Sequence, residues 1–319
     1  MGNIKSHLDN LLHSTVRIFC KNSDGTSSAG TGFIFGFPAG KGTMYPLLIT
    51  NRHVLSGTKS IVITLTKMLK HGEPDIGNHN EIEIHNVSDF WCGHPDENVD
   101  LAALPLAGML NAQENESYFF AALGPDYIAS NELLNGLSSM EDIIMIGYPN
   151  SLWDETNNLP IIRRGITATH PKRKYNGNPE FLIDAACFPG SSGSPVFLAN
   201  VGSYIDNDGK VKIGSRVALL GVLWGGPTTT SEGRIVNSKI PSHEDAKVTT
   251  NTMLNLGFVI HASEILEFSN IFKNIDDNED SSKHEHSLRE GTRNTTPNRN
   301  SLCYCNSGLK YKNCHGKIK

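Results

Sequence analysis

The most constraining feature of this chain is a long succession of short apolar segments separated by turn residues. Residues 16–20, 61–65 and 82–87 alternate apolar with polar side chains, which is typical of half-buried β-strands. Further short apolar segments, set off by nearby turn residues, occur at 32–37, 45–50, 99–106, 143–147, 161–166, 181–186, 195–199, 217–224 and 258–260. This spacing predicts an all-β barrel or sandwich. Short helices are expected only near its ends, at 3–13 and 262–272.

Length and charge exclude several classes of protein. A chain of 319 residues is long enough for one large or two modest domains with a buried core. The formal net charge of -5 indicates no general basic surface, so nucleic acid is not an expected partner. No apolar run approaches the roughly 18–20 residues of a membrane span. We therefore expect no membrane span.

The cysteines do not form the pattern of a disulfide framework. Cys20, Cys92 and Cys187 are far apart and are expected to be buried thiols, whereas the other three lie within the last 17 residues. Unpaired thiols of this kind are typical of a reducing compartment. We therefore expect a cytoplasmic protein.

A tight turn at residues 190–195, Gly-Ser-Ser-Gly-Ser-Pro, lies between two apolar runs. These residue types are ordinary in a solvent-exposed turn. A serine on a sharp turn between buried strands also has the geometry of a nucleophile, because its hydroxyl is exposed and nearby backbone N–H groups converge. That interpretation requires a histidine base and a carboxylate elsewhere in the chain.

Two other residues fit these requirements. His53 lies at the end of an apolar segment, although a lone histidine in such a place is more often structural. Asp100 is flanked by apolar residues, where an acid is more often a cap or turn residue. A buried acid is costly without a partner, and an imidazole N–H is a suitable partner. The order His53, Asp100, Ser192 is that of the triad of the chymotrypsin scaffold.

On these motifs, the segment from about 14 to 272 resembles a trypsin-like (chymotrypsin-fold) serine peptidase. Residues 32–35 with 47–54 are similar to the family's histidine strand, and residues 99–102 are similar to its aspartate motif. Residues 190–195 are similar to its Gly-Asp-Ser-Gly-Gly-Pro nucleophile turn. The resemblance implies an all-β fold of two six-stranded β-barrels with short N-terminal and C-terminal helices and the triad in the cleft between them.

The resemblance also implies a role for each residue. Ser192 is expected to attack the carbonyl, His53 to take and return the proton, and Asp100 to hold the imidazole tautomer. The backbone N–H groups of Gly190 and Ser192 are expected to form the oxyanion hole. No cofactor is expected for catalysis.

A specificity pocket follows from the same resemblance. Its base is expected at Ala186, and its walls are expected at Leu223, Trp224, Gly225 and Gly257. No acid lies at this base, so we expect no preference for Lys or Arg. The residues of the walls could instead belong to plain core strands, and the polar segment 227–250 is expected to be a long loop near the cleft.

Two departures from the family pattern are informative. Ser191 replaces the aspartate that pairs with a newly cut N-terminus in trypsin-like zymogens, so that activation route is not expected. Val54 follows the histidine where secreted members place a disulfide cysteine. Both departures resemble the intracellular and bacterial branch of the family, so we expect a bacterial protein.

The C-terminal end has a different character. Residues 274–300 are polar, with almost no large apolar side chain, and predict a disordered linker. Residues 303–315 resemble the SEC-C motif, and the resemblance implies a structural zinc held by Cys303, Cys305, Cys314 and His315. The alternative is three free thiols in a disordered end. The expected domains are therefore 1–273 (peptidase), 274–300 (linker) and 301–319 (zinc motif).

These observations together predict an intracellular serine endopeptidase that acts on a protein or peptide substrate, with a zinc tail that recruits a partner or substrate. One alternative is a non-catalytic peptide-binding protein that uses a protease-like cleft. Another is an adaptor in which the tail is the main functional part.

Overall fold

Short antiparallel strands make up most of the described chain. The computed structural model describes residues 7–39, 43–106, 116–206, 208–234, 247–269 and 310. The strands are β1 Thr15–Asn22, β2 Ser27–Pro38, β3 Met44–Thr50, β4 Thr58–Met68, β5 Pro74–His85, β6 Cys92–Gly93, β7 Ala102–Pro105, β8 Tyr118–Phe119, β9 Asp142–Gly147, β10 Ile161–Thr167, β11 Glu180–Asp184, β12 Pro195–Asn200, β13 Ser203–Ile205, β14 Val211–Ile213, β15 Arg216–Gly225, β16 Thr228–Arg234, β17 Lys247–Met253 and β18 Leu256–His261.

Helices are few and short within the same described ranges. The α-helices are α1 His7–Leu12, α2 Arg52–Leu55 and α3 Asn131–Asn135. Single 3₁₀ turns occur at Val87–Asp89, Pro125–Tyr127 and Pro149–Ser151, and a longer 3₁₀ helix occurs at Ala262–Phe268. None of the described helices is long and apolar enough to cross a membrane. The described chain is mostly β, as the predicted all-β class requires, with these few short helices in addition.

The first half of the chain forms an eight-stranded antiparallel sheet in its described residues. The order is β5-β4-β1-β2-β3-β7-β6, and β8 also pairs with β4. The alternation predicted for β1 is observed, because Val16, Ile18 and Cys20 are buried while the intervening residues are more exposed. Their side chains pack with Ile34, Leu48, Ile61 and Ile63 in one apolar core.

The second half of the chain closes into a six-stranded barrel, in the order β10-β11-β18-β15-β12-β9. Alternate residues of these strands fill its interior, among them Ile143, Met145, Phe181, Ile183, Val196, Leu198 and Val259. Glycine is required where strands approach closely: a Cβ at Gly221 would lie 2.1 Å from the carbonyl oxygen of Ile260. One of the two predicted six-stranded barrels is therefore present.

The other predicted barrel is not found in the part of the chain that the structure describes. The first-half sheet ends at β5 on one side and at β6 on the other. The edge strand β6 contains only Cys92–Gly93, which pair with Ala102 and Ala103, so it is too short to carry a continuous ladder to β5. The prediction of a long loop at 227–250 is also wrong in part, because β16 pairs with β17 there.

The chain divides by its contacts into two units, Met1–Leu266 and Glu267–Lys319. The first unit contains the eight-stranded sheet, the closed barrel and all the residues of the predicted peptidase site. The second unit lies almost entirely outside the described residues, and so do the predicted linker at 274–300 and the predicted zinc motif at 301–319.

Candidate active site

His53 is presented by a short helix that is anchored in the apolar core. Strand β3 ends at Thr50, and α2 begins two residues later with its buried residues Val54 and Leu55 facing inward. Strand β2 packs so closely on this helix that a Cβ at Gly30 would lie 2.6 Å from Val54 Cγ1. The packing fixes α2, and the His53 side chain is left half exposed, at 50%.

Asp100 makes two hydrogen bonds to His53. The imidazole Nδ1 donates to Asp100 Oδ2 at 2.5 Å, and the backbone N–H of His53 donates to Oδ1 at 3.0 Å. The backbone of Asp100 is itself held, because the buried Asn51 donates from Nδ2 to its carbonyl oxygen at 2.8 Å. A carboxylate accepts only, so the Nδ1 proton is fixed and Nε2 remains a free acceptor. This is the arrangement that a general base needs.

The apolar neighbours of Asp100 explain why its carboxylate faces the histidine. Val99 and Leu101 are buried at 2% and 0% exposure, and they pin the backbone on both sides. Arg52 further restrains the segment before Asp100, because its guanidinium donates to the carbonyl oxygen of His94 at 2.7 Å. The carboxylate remains 26% exposed, so it is less buried than its apolar flanks suggested.

Hydrogen bonds to backbone carbonyl groups fix the conformation of the predicted nucleophile turn. Asn150 N–H donates to the Pro189 oxygen at 2.6 Å, and Ser194 N–H donates to the Ser191 oxygen at 3.0 Å. Because the carbonyl and the following N–H of a trans peptide point in opposite directions, these bonds also orient the N–H groups of Gly190 and Ser192. Neither of these two N–H groups donates to an acceptor within the described residues. They are free to receive an oxyanion, as the predicted hole requires.

The turn can form only with glycine at two of its positions. Gly190 and Gly193 have φ values of +85° and +89°, which residues with a Cβ rarely adopt. A Cβ at Gly190 would lie 2.6 Å from the Tyr148 oxygen, and one at Gly193 would lie 1.9 Å from the Thr31 oxygen. Both glycines predicted in the motif therefore have a physical reason.

The Ser192 hydroxyl is directed to a different partner from the predicted one. Its Oγ donates to the carbonyl oxygen of Trp224 at 3.3 Å, and no hydrogen bond joins it to His53. Trp224 is fixed in turn by its indole N–H, which donates to Glu180 Oε2 at 2.7 Å, and by stacking on Phe258. The structure thus brings His53 and Asp100 together, but it does not join Ser192 to the base by a hydrogen bond.

Ser191, which replaces the family's aspartate, is buried at 1% exposure. Its hydroxyl accepts a long hydrogen bond of 3.4 Å from Arg163 Nη1 on β10. The same guanidinium lies 4.9 Å from the centre of the Phe188 ring. A half-buried cation therefore contacts the turn, which the sequence pattern did not indicate.

Two residues of the predicted specificity pocket contact a residue that the prediction missed, Cys187. Cys187 and Leu223 are buried at 4% and 2% exposure in the apolar core of the barrel, as the alternative of plain core strands expects for Leu223. A Cβ at Gly257 would lie 2.6 Å from Leu223 Cδ1 and 2.7 Å from Cys187 Sγ, so these three residues are in contact. Gly225 faces open space, which suits a pocket wall. Ala186 is half-buried directly before Cys187, and the Trp224 ring is turned onto Phe258. Burial raises the pKa of the Cys187 thiol to about 11.

Two other residues near the site were missed because their partners in the turn are backbone carbonyl groups. Thr31 contacts the nucleophile turn from β2, and Asn150 contacts it from the turn after β9. Thr31 lies within Gly-Thr-Gly-Phe, residues 30–33, whose paired glycines were the available signal of close packing.

No group of three or more His, Cys, Asp or Glu side chains that could hold a metal occurs in the described ranges. The predicted ligands Cys303, Cys305, Cys314 and His315 lie outside those ranges. The family model of the SEC-C motif nevertheless matches residues 299–317 of this chain. This match confirms that the predicted motif is present.

The solved structures that this chain resembles are distant from it in sequence. An HtrA-type protease, AlgW with tripeptide, is 18% identical with a TM-score of 0.43 and is matched over 83% of this chain and 62% of its own. The active form of the Rv3671c protease from M. tuberculosis is 15% identical, with a TM-score of 0.38 and 82% coverage of both chains. The serine endoprotease from Yersinia pestis is 16% identical, with a TM-score of 0.40 and coverage of 84% of this chain and 67% of its own.

No curated protein sequence matches this chain. A family model does match, and its description is trypsin-like peptidase domain. The match runs over residues 30–205, which is more than half of the chain and contains His53, Asp100 and Ser192. The chain therefore belongs to the trypsin-like peptidase domain family.

Proposed function

We propose that this protein is a serine endopeptidase whose catalytic residues are His53, Asp100 and Ser192. The observation that carries the proposal is the double hydrogen bond from His53 to Asp100, at 2.5 and 3.0 Å. It gives His53 a fixed tautomer and a free Nε2 atom. The adjoining nucleophile turn adds a serine hydroxyl and two unpaired N–H groups, which are the remaining parts of an acyl-transfer site.

Each residue then has one task in the reaction. Ser192 rotates away from the Trp224 oxygen, passes its proton to His53 Nε2 and attacks the substrate carbonyl carbon. The oxygen that becomes negative is bound by the N–H groups of Gly190 and Ser192. His53 returns the proton to the leaving amine, and water then releases the acyl group by the same steps, while Asp100 stabilises the imidazolium throughout.

The uncharged residues at the predicted specificity pocket support a substrate with a small or medium apolar residue before the scissile bond. Cys187, Leu223 and Gly257 are in contact there, and none of them carries a charge. An uncharged pocket offers no partner for a Lys or Arg side chain, and burying such a cation unpaired is costly. Protein and peptide segments are the proposed substrates.

The C-terminal motif supports a separate role in binding. Three thiols and one imidazole, from Cys303, Cys305, Cys314 and His315, are a donor set that suits a four-coordinate structural zinc. Such a metal, when bound, would hold the short motif folded and would take no part in catalysis. We propose that the motif docks on a protein partner or substrate in a cytoplasmic, reducing compartment.

The test of the proposed function is hydrolysis of a fluorogenic peptide library by the full chain. The wild type should cleave, and Ser192→Ala should lose at least about 10³-fold in rate because no nucleophile remains. Ser203→Ala removes an exposed hydroxyl on β13 and serves as the matched control, with an unchanged rate. Cleavage that persists in purified Ser192→Ala would refute the assignment.

The bond from Ser192 to Trp224 favours one alternative, a peptide-binding protein that does not cleave. In that case, peptides from the same library would bind to the wild type and to Ser192→Ala with equal affinity and would be recovered intact. The two functions are therefore separated by turnover rather than by binding.

A further inference from the structure

Thr31 lies at the meeting point of the two halves of the proposed active site. It belongs to β2 of the first-half sheet, and its side chain is fully buried. Around it lie the nucleophile turn, the turn after β9 and the end of β3, which leads to His53. A Cβ at Gly193 would lie 1.9 Å from the Thr31 oxygen and 2.6 Å from Thr50 Oγ1, so backbones pack here without space for a side chain.

The Thr31 hydroxyl donates one hydrogen bond and accepts another. Its Oγ1 donates to the carbonyl oxygen of Gly190 at 2.8 Å and accepts from the backbone N–H of Tyr148 at 3.1 Å. The first bond orients the peptide that lies between the two oxyanion N–H groups. The second bond holds the turn that carries Asn150, whose N–H orients the preceding peptide through the Pro189 oxygen.

The backbone of Thr31 extends the same connection in two directions. Its N–H donates to the Ser192 oxygen at 2.8 Å, and its own oxygen accepts from Thr50 Oγ1 at 2.7 Å. Thr50 is three residues before His53 in the chain. Thr31 is thus hydrogen-bonded to three parts of the site. These are the strand that leads to His53, the backbone of Ser192, and the two turns that hold the oxyanion peptides.

We propose that Thr31 is a positioning residue that keeps the oxyanion hole of this peptidase open. The inference rests on the proposed function and adds to it a residue that touches neither the substrate nor the reacting atoms. Without the hydroxyl, the half-buried Gly190 oxygen and the buried Tyr148 N–H both lose their partner, and we expect the turn to rotate in response. That rotation turns the peptides on either side and removes donors from the hole.

A pair of variants isolates the hydroxyl. Thr31→Val keeps the shape of the side chain and removes both bonds, whereas Thr31→Ser keeps the hydroxyl. Thr167 provides the matched control: it is buried at 2% exposure, accepts from Glu141 N–H at 2.9 Å and donates to the Ser139 oxygen at 2.8 Å, away from the site. Thr167→Val therefore removes the same two kinds of bond elsewhere.

Steady-state kinetics on a fluorogenic peptide give the first readout. Thr31→Val should lower kcat by about 10- to 10²-fold with KM within about twofold, since the hole acts on the transition state. Thr31→Ser should stay within about threefold of the wild type, and so should Thr167→Val, even if the latter lowers the melting temperature. An equal loss of kcat in Thr31→Val and Thr167→Val, or an effect on KM alone, would overturn the proposal.

Hydrogen exchange gives a second readout that does not depend on turnover. In Thr31→Val, the amides of Tyr148 and Asn150 should exchange at least about tenfold faster than in the wild type, and they should be unchanged in Thr31→Ser and Thr167→Val. Unchanged protection in Thr31→Val would refute the positioning role even in an inactive protein. A wild type without Ser192-dependent turnover but with this exchange pattern would refute the proposed function alone.

Discussion

At the scale of single residues, the proposed chemistry depends on one carboxylate that accepts twice from one histidine. Asp100 receives both the ring Nδ1–H and the backbone N–H of His53, so the ring cannot turn without losing one of these bonds. Asn51 and Arg52 restrain the segment that carries the acid. The geometry makes Asp100 an orienting group, and its substitution should affect catalysis more than folding.

Asp100→Asn tests this role. An asparagine side chain can donate from its amide, which favours the tautomer with the proton on Nε2 and leaves His53 unable to act as a base. We expect kcat to fall by about 10⁴-fold. Asp89→Asn, at an exposed acid in the same half of the chain, should have no effect. A fall of less than about tenfold, with the fold intact by circular dichroism, would show that Asp100 is not the orienting group.

Cys187 provides a pH-dependent prediction at the same scale. Burial raises its thiol pKa to about 11, well above the ordinary value. At pH 7–8 the group is therefore almost wholly the unreactive thiol, and the thiolate forms only as the pH approaches 11. Iodoacetamide at pH 8 should leave peptide cleavage roughly unchanged, and mass spectrometry should find Cys187 unmodified. Inactivation in step with modification of Cys187 at pH 8 would contradict the buried pocket position.

At the scale of elements, the nucleophile turn is the part on which the account depends most. Asn150, Thr31 and Ser194 hold three of its carbonyl groups, and Arg163 lies behind it. These contacts come from within the chain. We expect them to take the place of the pairing between an aspartate and a new N-terminus, because Ser191 has no carboxylate to make that pair.

Gly190→Ala tests whether the shape of the turn matters. The substitution places a Cβ 2.6 Å from the Tyr148 oxygen at a φ of +85°, so the turn must shift and kcat should fall by about 10²-fold or more. Gly202→Ala has nearly the same φ of +87° but faces open space. It should cost about 1 kcal/mol of unfolding free energy with full activity. Equal activity of the two variants would remove the turn from the mechanism.

The residues of the candidate triad could be predicted because each lies in a short motif whose chemistry is carried by the side chain itself. His53, Asp100 and Ser192 have recognisable neighbours within a few positions. Thr31 could not be predicted in the same way, because its partner Gly190 is 159 residues away and contributes only a backbone oxygen. A hydrogen bond to a distant backbone oxygen leaves almost no trace in the residue type of its partner.

The strands were predicted better than their closure. Apolar alternation identifies a strand such as β1, but it does not say which strands pair at an edge. The two-residue strand β6 and the hairpin of β16 with β17 carry no clear alternation, so neither was predicted. Closure of the first-half sheet therefore could not be judged from the sequence.

At the scale of the whole molecule, we expect the C-terminal motif to act separately from catalysis. Metal analysis of the full chain should find about one zinc per chain, and Cys303→Ser with Cys305→Ser should lose it because two of four ligands are removed. A zinc content near zero in the wild type, or one unchanged in the double variant, would eliminate the site.

Truncation after Asn274 should preserve cleavage of a small peptide and weaken cleavage of a protein substrate.

The central claim is that Ser192 and His53 form a working nucleophile and base. The most direct measurement is labelling of the full chain with a fluorophosphonate probe, followed by mass spectrometry of the modified peptide, since reaction requires an activated serine. The account predicts one adduct, on Ser192, in the wild type, none in Ser192→Ala and slow labelling in Asp100→Asn. Absence of labelling in the folded wild type, or an adduct that persists in Ser192→Ala, would contradict it.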